Sequence, residues 1–155
     1  MLSLKSLDGA RVEIPASCIQ VVMKPSDDSA PSSVLYDLGS GPEISKLSDQ
    51  YGFVKKLVSD SSGIPNPIEL CVVEMISSNE DGSSVYGTGK IFIARSRIQG
   101  RIEVLDDPNG VKSRLFIDWC GNVSQFRVTD SLDDMDGIEP AVPVELPAPA
   151  LIEGS

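Results

Sequence analysis

At 155 residues the chain has room for one domain, or for two of the smallest size that folds alone. Its formal charge of −10, from 13 basic and 23 acidic residues, repels phosphate backbones and anionic lipid, so neither nucleic acid nor membrane is expected as a partner. Histidine is absent, which removes the commonest general base and the commonest transition-metal ligand together.

Glycine (13) and proline (11) stand as punctuation between short apolar runs, a pattern of many short strands rather than a few long helices. Leu2 to Leu7 alternates apolar and polar, Asp8-Gly9 is a hairpin turn signal, and Ala10 to Ile14 returns. Strands are predicted near Ile19 to Met23 and Val34 to Leu38, with a short one ending at Leu47. Ser48 is the predicted N-cap of a helix, with Asp49 favoured by the helix dipole. Tyr51, Val54, Leu57 and Val58 make one apolar stripe at helical spacing. Gly52 weakens that helix by roughly 1 kcal/mol against Ala, so a short helix held by packing is expected. The turn formers from Ser59 to Pro67 read as a linker.

Beyond the linker, Ile68 to Ile76 is a longer apolar run, Asp81-Gly82 falls in the turn region, and Val85 to Ile93 returns. Strands follow over Ile98 to Leu105, Leu115 to Trp119 and up to Val128. Thr129 is the second predicted N-cap, of a weaker helix ended by Asp136-Gly137. From Glu139 onward, Pro140, Pro143, Pro147 and Pro149 forbid regular helix and suit polyproline II. No Lys or Arg follows Arg127, while seven acidic residues do, so the first 127 residues carry only −3 of the −10.

The two series of elements are copies. Val12 to Gln20 aligns with Ile91 to Gln99 at an offset of 79, and Ile14, Ser17, Ile19 and Gln20 recur as Ile93, Ser96, Ile98 and Gln99. Leu35-Tyr36-Asp37 and Lys46-Leu47-Ser48-Asp49 align with Phe116-Ile117-Asp118 and Arg127-Val128-Thr129-Asp130 at an offset of 81. The change of offset falls in the turn sequence Asp106 to Gly110, where an insertion is tolerated. The expected fold class is mainly β with one or two short helices: two tandem small antiparallel β-barrel-like modules of the Sm or SH3 type and an extended C-terminal arm. The expected division is a first module over 1–62, a duplicated second over 63–138 and a Pro-rich acidic tail over 139–155. One continuous sandwich sharing strands between the copies is the alternative.

Catalytic, cofactor-binding and metal-ligating residues are not expected. Cys18, Cys71 and Cys120 are isolated and lack CxxC spacing, as buried reduced thiols would be. The end positions of a calcium loop fall on Ser77 and Thr88 around Asp81-Gly82 and on Leu132 and Pro143 around Asp136-Gly137, so neither turn has the carboxylate end ligands. Gly87-Thr88-Gly89-Lys90 lacks the flanking residues of a phosphate loop. Asp37 and Asp118 recur between the copies and read as turn-forming aspartates, and Trp119 reads as packing.

The recurring Ile-x4-Ile-Gln pattern, the later Leu35-Tyr36-Asp37 strand and Val128-Thr129-Asp130-Ser131-Leu132 before an acidic stop lie on a duplicated β frame with a Pro-rich arm. This pattern resembles small decoration or cement proteins of tailed bacteriophage capsids, over residues 1–138. The resemblance implies a non-catalytic virion structural protein, assembled in the host cytoplasm and not secreted by a signal peptide. It implies binding to a major capsid protein or another assembly subunit, with self-association, through β edges and the arm. Pro140, Val142, Val144, Leu146, Leu151 and Ile152 are the expected contact residues of that arm. The alternative is a free adaptor or regulatory β module that binds a peptide or small ligand.

Overall fold

The computed structural model describes residues 1–119 and 121–138. Cys120 and the arm, with Pro140, Val142, Val144, Leu146, Leu151 and Ile152, lie outside the described residues. The first half runs β1 (Leu2–Lys5), β2 (Arg11–Ile14), a 3-10 turn (Ala16–Cys18), β3 (Ile19–Lys24), β4 (Ser32–Asp37), β5 (Pro42–Leu47) and α1 (Tyr51–Asp60). The second half repeats that order with β6 (Pro67–Ser78), β7 (Ser84–Ala94), a 3-10 turn (Arg95–Arg97), β8 (Ile98–Glu103), β9 (Ser113–Trp119), β10 (Asn122–Val128) and α2 (Leu132–Asp136). None of the described helices is long and apolar enough to cross a membrane.

The registers repeat as well as the order. Leu2↔Ile14 through Lys5↔Arg11 in the first hairpin corresponds to Ile68↔Ile93 through Cys71↔Lys90 in the second. The β3–β4 ladder slips between Ile19 and Val21, and β8–β9 slips at the equivalent place between Ile98 and Gly100. Ser32↔Leu47 and Ser113↔Val128 open the next ladder in each half.

Each half is also tied by the same three hydrogen bonds. The Lys5 N–H donates to Asp49 Oδ2 (2.8 Å), Ser48 N–H to the Lys5 carbonyl (2.9 Å), and Ser32 Oγ to the Asp49 carbonyl (2.7 Å). In the second half Cys71 N–H donates to Asp130 Oδ2 (2.7 Å), Thr129 N–H to the Cys71 carbonyl (2.9 Å), and Ser113 Oγ to the Asp130 carbonyl (2.8 Å). The aspartate therefore ties the first strand of its half, at the end of β1 and part-way along β6, to the end of the fifth strand. Ser48 and Thr129, expected as N-caps, serve this knot instead. The helices start later: α1 follows Gln50 with no side-chain cap, and α2 has a capping box between Ser131 and Asp134. Gly137, at φ 72°, ends α2 in the left-handed conformation that glycine adopts without strain.

Antiparallel β structure is as expected, but the halves are not two closed barrels. Eight strands form one sheet in the order β5-β4-β3-β7-β6-β10-β9-β8, and the β1–β2 hairpin touches β5 through a Ser6↔Leu47 bridge. The lateral order is thus β2-β1-β5-β4-β3 and then β7-β6-β10-β9-β8, one half following the other head to tail. Val21 and Val22 are successive residues pointing to opposite faces, and both are fully buried (0% exposed). Val22 joins a core with Leu4, Ile14, Leu47, Val54, Val58 and Phe92, whereas Val21 joins one with Leu70, Ile93, Leu115, Ile117 and Met135. The halves thus share both cores, which is why neither closes alone.

Of the four equivalent isoleucines, Ile14, Ile19 and Ile93 are buried, while Ile98 is only half-buried. β8 is the edge of the sheet, and among the described residues it lacks the outer neighbour that β7 gives β3. Within the segment read as a linker, α1 reaches Asp60, Ile64 is buried, and Pro67 already belongs to β6.

Candidate interaction surface

The halves differ most in their first hairpin. The strands β1 and β2 have 4 residues each, whereas β6 and β7 have 12 and 11. The extra length forms an arm that carries Met75 (59% exposed), Ile76 (43%) and Tyr86 (39%). At its tip Asp81 accepts from Ser83 N–H (2.9 Å) and Ser83 Oγ (2.6 Å), and these bonds hold its carboxyl below the usual range. Asp81 and Gly82 thus lie in an exposed turn.

Between the arm and the sheet lies an open groove of about 520 Å³. Met23, Met75, Ile76, Trp119 and Phe126 supply apolar lining, and Lys24, Lys46 and Lys90 bring three cations to it, with Glu74 and Asp27 also present. The Trp119 and Phe126 rings stand 5.0 Å apart, tilted by 51°. Trp119 packs against the second core and lines the groove at once, so packing describes only part of its surroundings.

Gly87 and Gly89 make this wall possible. A Cβ at Gly89 would collide with the Lys24 carbonyl, and one at Gly87 with the Ser26 carbonyl. The Gly-Thr-Gly sequence thus lets the segment after β3 lie directly on β7, where Ser26 Oγ donates to Glu74 (2.8 Å).

A second polar cluster joins the halves. Tyr51 OH (2.8 Å) and Lys55 Nζ (2.7 Å) of α1 both donate to Glu69 Oε2 on β6, and Lys55 lies 5.4 Å from the Phe92 ring centre. Burial pushes the Tyr51 phenol far up and the Glu69 bond adds to it, so the tyrosine remains a donor. Burial also pushes Glu69 up, but the bonds from Lys55 and Tyr51 and the charges of Lys55 and Lys90 outweigh it, leaving the carboxyl below its usual value.

The other sequence-selected residues stay apart. Asp37 closes its turn by accepting from Gly39 N–H (2.7 Å) and Gly41 N–H (3.3 Å), while the Asp118 carbonyl accepts from Arg97 (3.2 Å). Cys18 and Cys71 are free thiols, partly buried. Among the described residues, acidic and cysteine side chains form no cluster suited to a metal ion.

Sequence reasoning missed the groove. Its traces were the two glycines inside a strand and the unequal lengths of the two hairpins. Comparison with protein-family models, curated proteins and solved structures finds no match.

Proposed function

We propose that the chain is a non-catalytic structural subunit, a capsid decoration or cement protein that stiffens a shell through strand edges and its C-terminal arm. The observation that supports this reading is the β6–β7 arm. A hairpin with a 4-residue counterpart in the same chain is lengthened to 12 and 11 residues, and the added part carries exposed Met75, Ile76 and Tyr86. Apolar surface offered on a projecting hairpin suits a protein partner better than a small substrate. The contacts proposed for Pro140, Val142, Val144, Leu146, Leu151 and Ile152 add a second attachment to the same partner. Purified viral particles should contain the protein in fixed stoichiometry, and Met75→Ser with Tyr86→Ser should release it from them. Its absence from particles, or undiminished attachment of the double variant, would refute the proposal.

The groove favours a second reading, a free adaptor that takes a peptide. An apolar lining with Lys24, Lys46 and Lys90 suits a segment bearing apolar side chains and carboxylates. An adaptor of this kind would be monodisperse and free of particles, and titration with an acidic, apolar peptide would report binding that Lys90→Glu abolishes.

A further inference from the structure

The two halves meet through β3 and β7, which pair as Val21↔Ile93, Val22↔Phe92, Met23↔Ile91 and Lys24↔Lys90. Each half thus contributes one edge to that joint, the third strand of the first half and the second strand of the second half. The counterparts of these edges are left over. β2 corresponds to β7 and β8 to β3, and among the described residues neither has a strand partner on its outer side. The chain therefore ends laterally in the two halves of the joint that holds its own middle together.

We propose that β2 of one copy pairs antiparallel with β8 of a second copy, repeating the internal joint between molecules. The internal register carries over residue by residue. It sets Ile14 opposite Gly100 of the other copy, Glu13 opposite Arg101, Val12 opposite Ile102 and Arg11 opposite Glu103. Both charged pairs are complementary, and they share one face because residues two apart on a strand do. The internal joint has an apolar pair, Val22 with Phe92, where the outer edges have Glu13 and Arg101. It has two lysines, Lys24 with Lys90, where the outer edges have Glu103 and Arg11. Charge is thus placed on the edges that must stay in water before pairing, and in the carried-over register its signs match across the two different edges. Ile102, 42% exposed, gains an apolar partner in Val12. Arg101 already holds Asp136 at 2.7 Å, so Glu13 joins an existing ion pair.

This contact is heterologous, each copy offering a different edge at either side. It builds rings where the rotation closes and filaments where it does not. The proposal stands apart from the capsid reading, since it follows from the chain's own repeat and needs no shell.

Sedimentation velocity of the full chain over a range of concentrations tests it. The wild type should associate beyond the monomer. Arg11→Glu and Glu103→Arg should each weaken association roughly tenfold, because a like-charged cross-strand pair replaces an opposite one. Net charge alone would make the second variant associate more strongly, since it lowers the overall negative charge. An equimolar mixture of the two variants should regain association, because the carboxylate introduced in one then faces the guanidinium introduced in the other. Both positions are exposed on edge strands, and thermal melts should show both variants folded. A wild type that stays monomeric would mean that these charges only keep the edges apart, and would overturn the proposal. Single variants that associate like the wild type, or a mixture that fails to recover, would overturn it too.

Discussion

Asp49 and Asp130 show how much one side chain can organise. Each carboxylate accepts the backbone N–H of a residue far away in sequence, Lys5 or Cys71, while its own carbonyl accepts a serine hydroxyl. Removing the carboxylate leaves that N–H without its partner, at a cost of about 1–3 kcal/mol where water cannot replace it. Asp130→Ala should therefore cost more than Asp49→Ala, because its bond is partly buried and that of Asp49 is exposed. The Asn variants, which keep an acceptor, should recover part of the loss. Urea unfolding of the four variants measures this order, and equal losses at both sites would contradict it. Glu69 carries a pH dependence of known sign. Its carboxyl lies below the usual value when folded, so its contribution is present at neutral pH and is lost as pH falls through that depressed value. Glu69→Gln should be less stable than wild type at neutral pH, and the gap should shrink in acid below the usual carboxylate range of about 4. A gap that widens in acid would show that Glu69 is not held by Lys55 and Tyr51.

The strands of the second half show what a glycine inside a ladder can mean. Gly89 is closed in by the Lys24 carbonyl, whereas a Cβ at Gly100 would meet Phe116 at an ordinary 3.6 Å. Gly89→Ala should force the segment after β3 away from β7 and cost about 1–3 kcal/mol, typical of overpacking. Gly100→Ala, in an edge strand with room, should be near neutral. Melting temperatures of the two variants test this, and similar losses would mean that β7 and the segment after β3 yield easily. At α1 the apolar stripe was legible from the spacing of Tyr51, Val54, Leu57 and Val58, and the helix packs on that face. Its start was not, because Ser48 had two possible uses. A serine before an apolar stripe signals a cap, and only the position of Lys5 turns it toward a strand.

On the scale of the molecule, the halves cannot unfold separately without opening both cores. Phe92 and Ala94 of the second half lie in the first core, and Val21 and Leu35 of the first half lie in the second. One cooperative transition is expected, with fluorescence of the single tryptophan, Trp119, and far-ultraviolet circular dichroism changing together. Two separate transitions would mean that the halves are independent. Ile93→Ala should cost about 2–5 kcal/mol from its fully buried site, and Ile98→Ala clearly less.

The amino-acid sequence by itself determined the β class and the repeat. Period-two alternation, turn residues and the two offsets of 79 and 81 are local signals, and the copied registers follow from copied residues. It also carried a sign of two-sided burial in the unbroken runs Val21-Val22, Val34-Leu35 and Ile91-Phe92-Ile93, which do not alternate. Only the tertiary structure decided that β3 pairs with β7, that the arm and the segment after β3 frame a groove, and that β2 and β8 remain as edges. Those outcomes depend on which strands meet across a long stretch of chain, as Val21 meets Ile93. A periodic pattern specifies which face of a strand is apolar, but not which strand lies beside it.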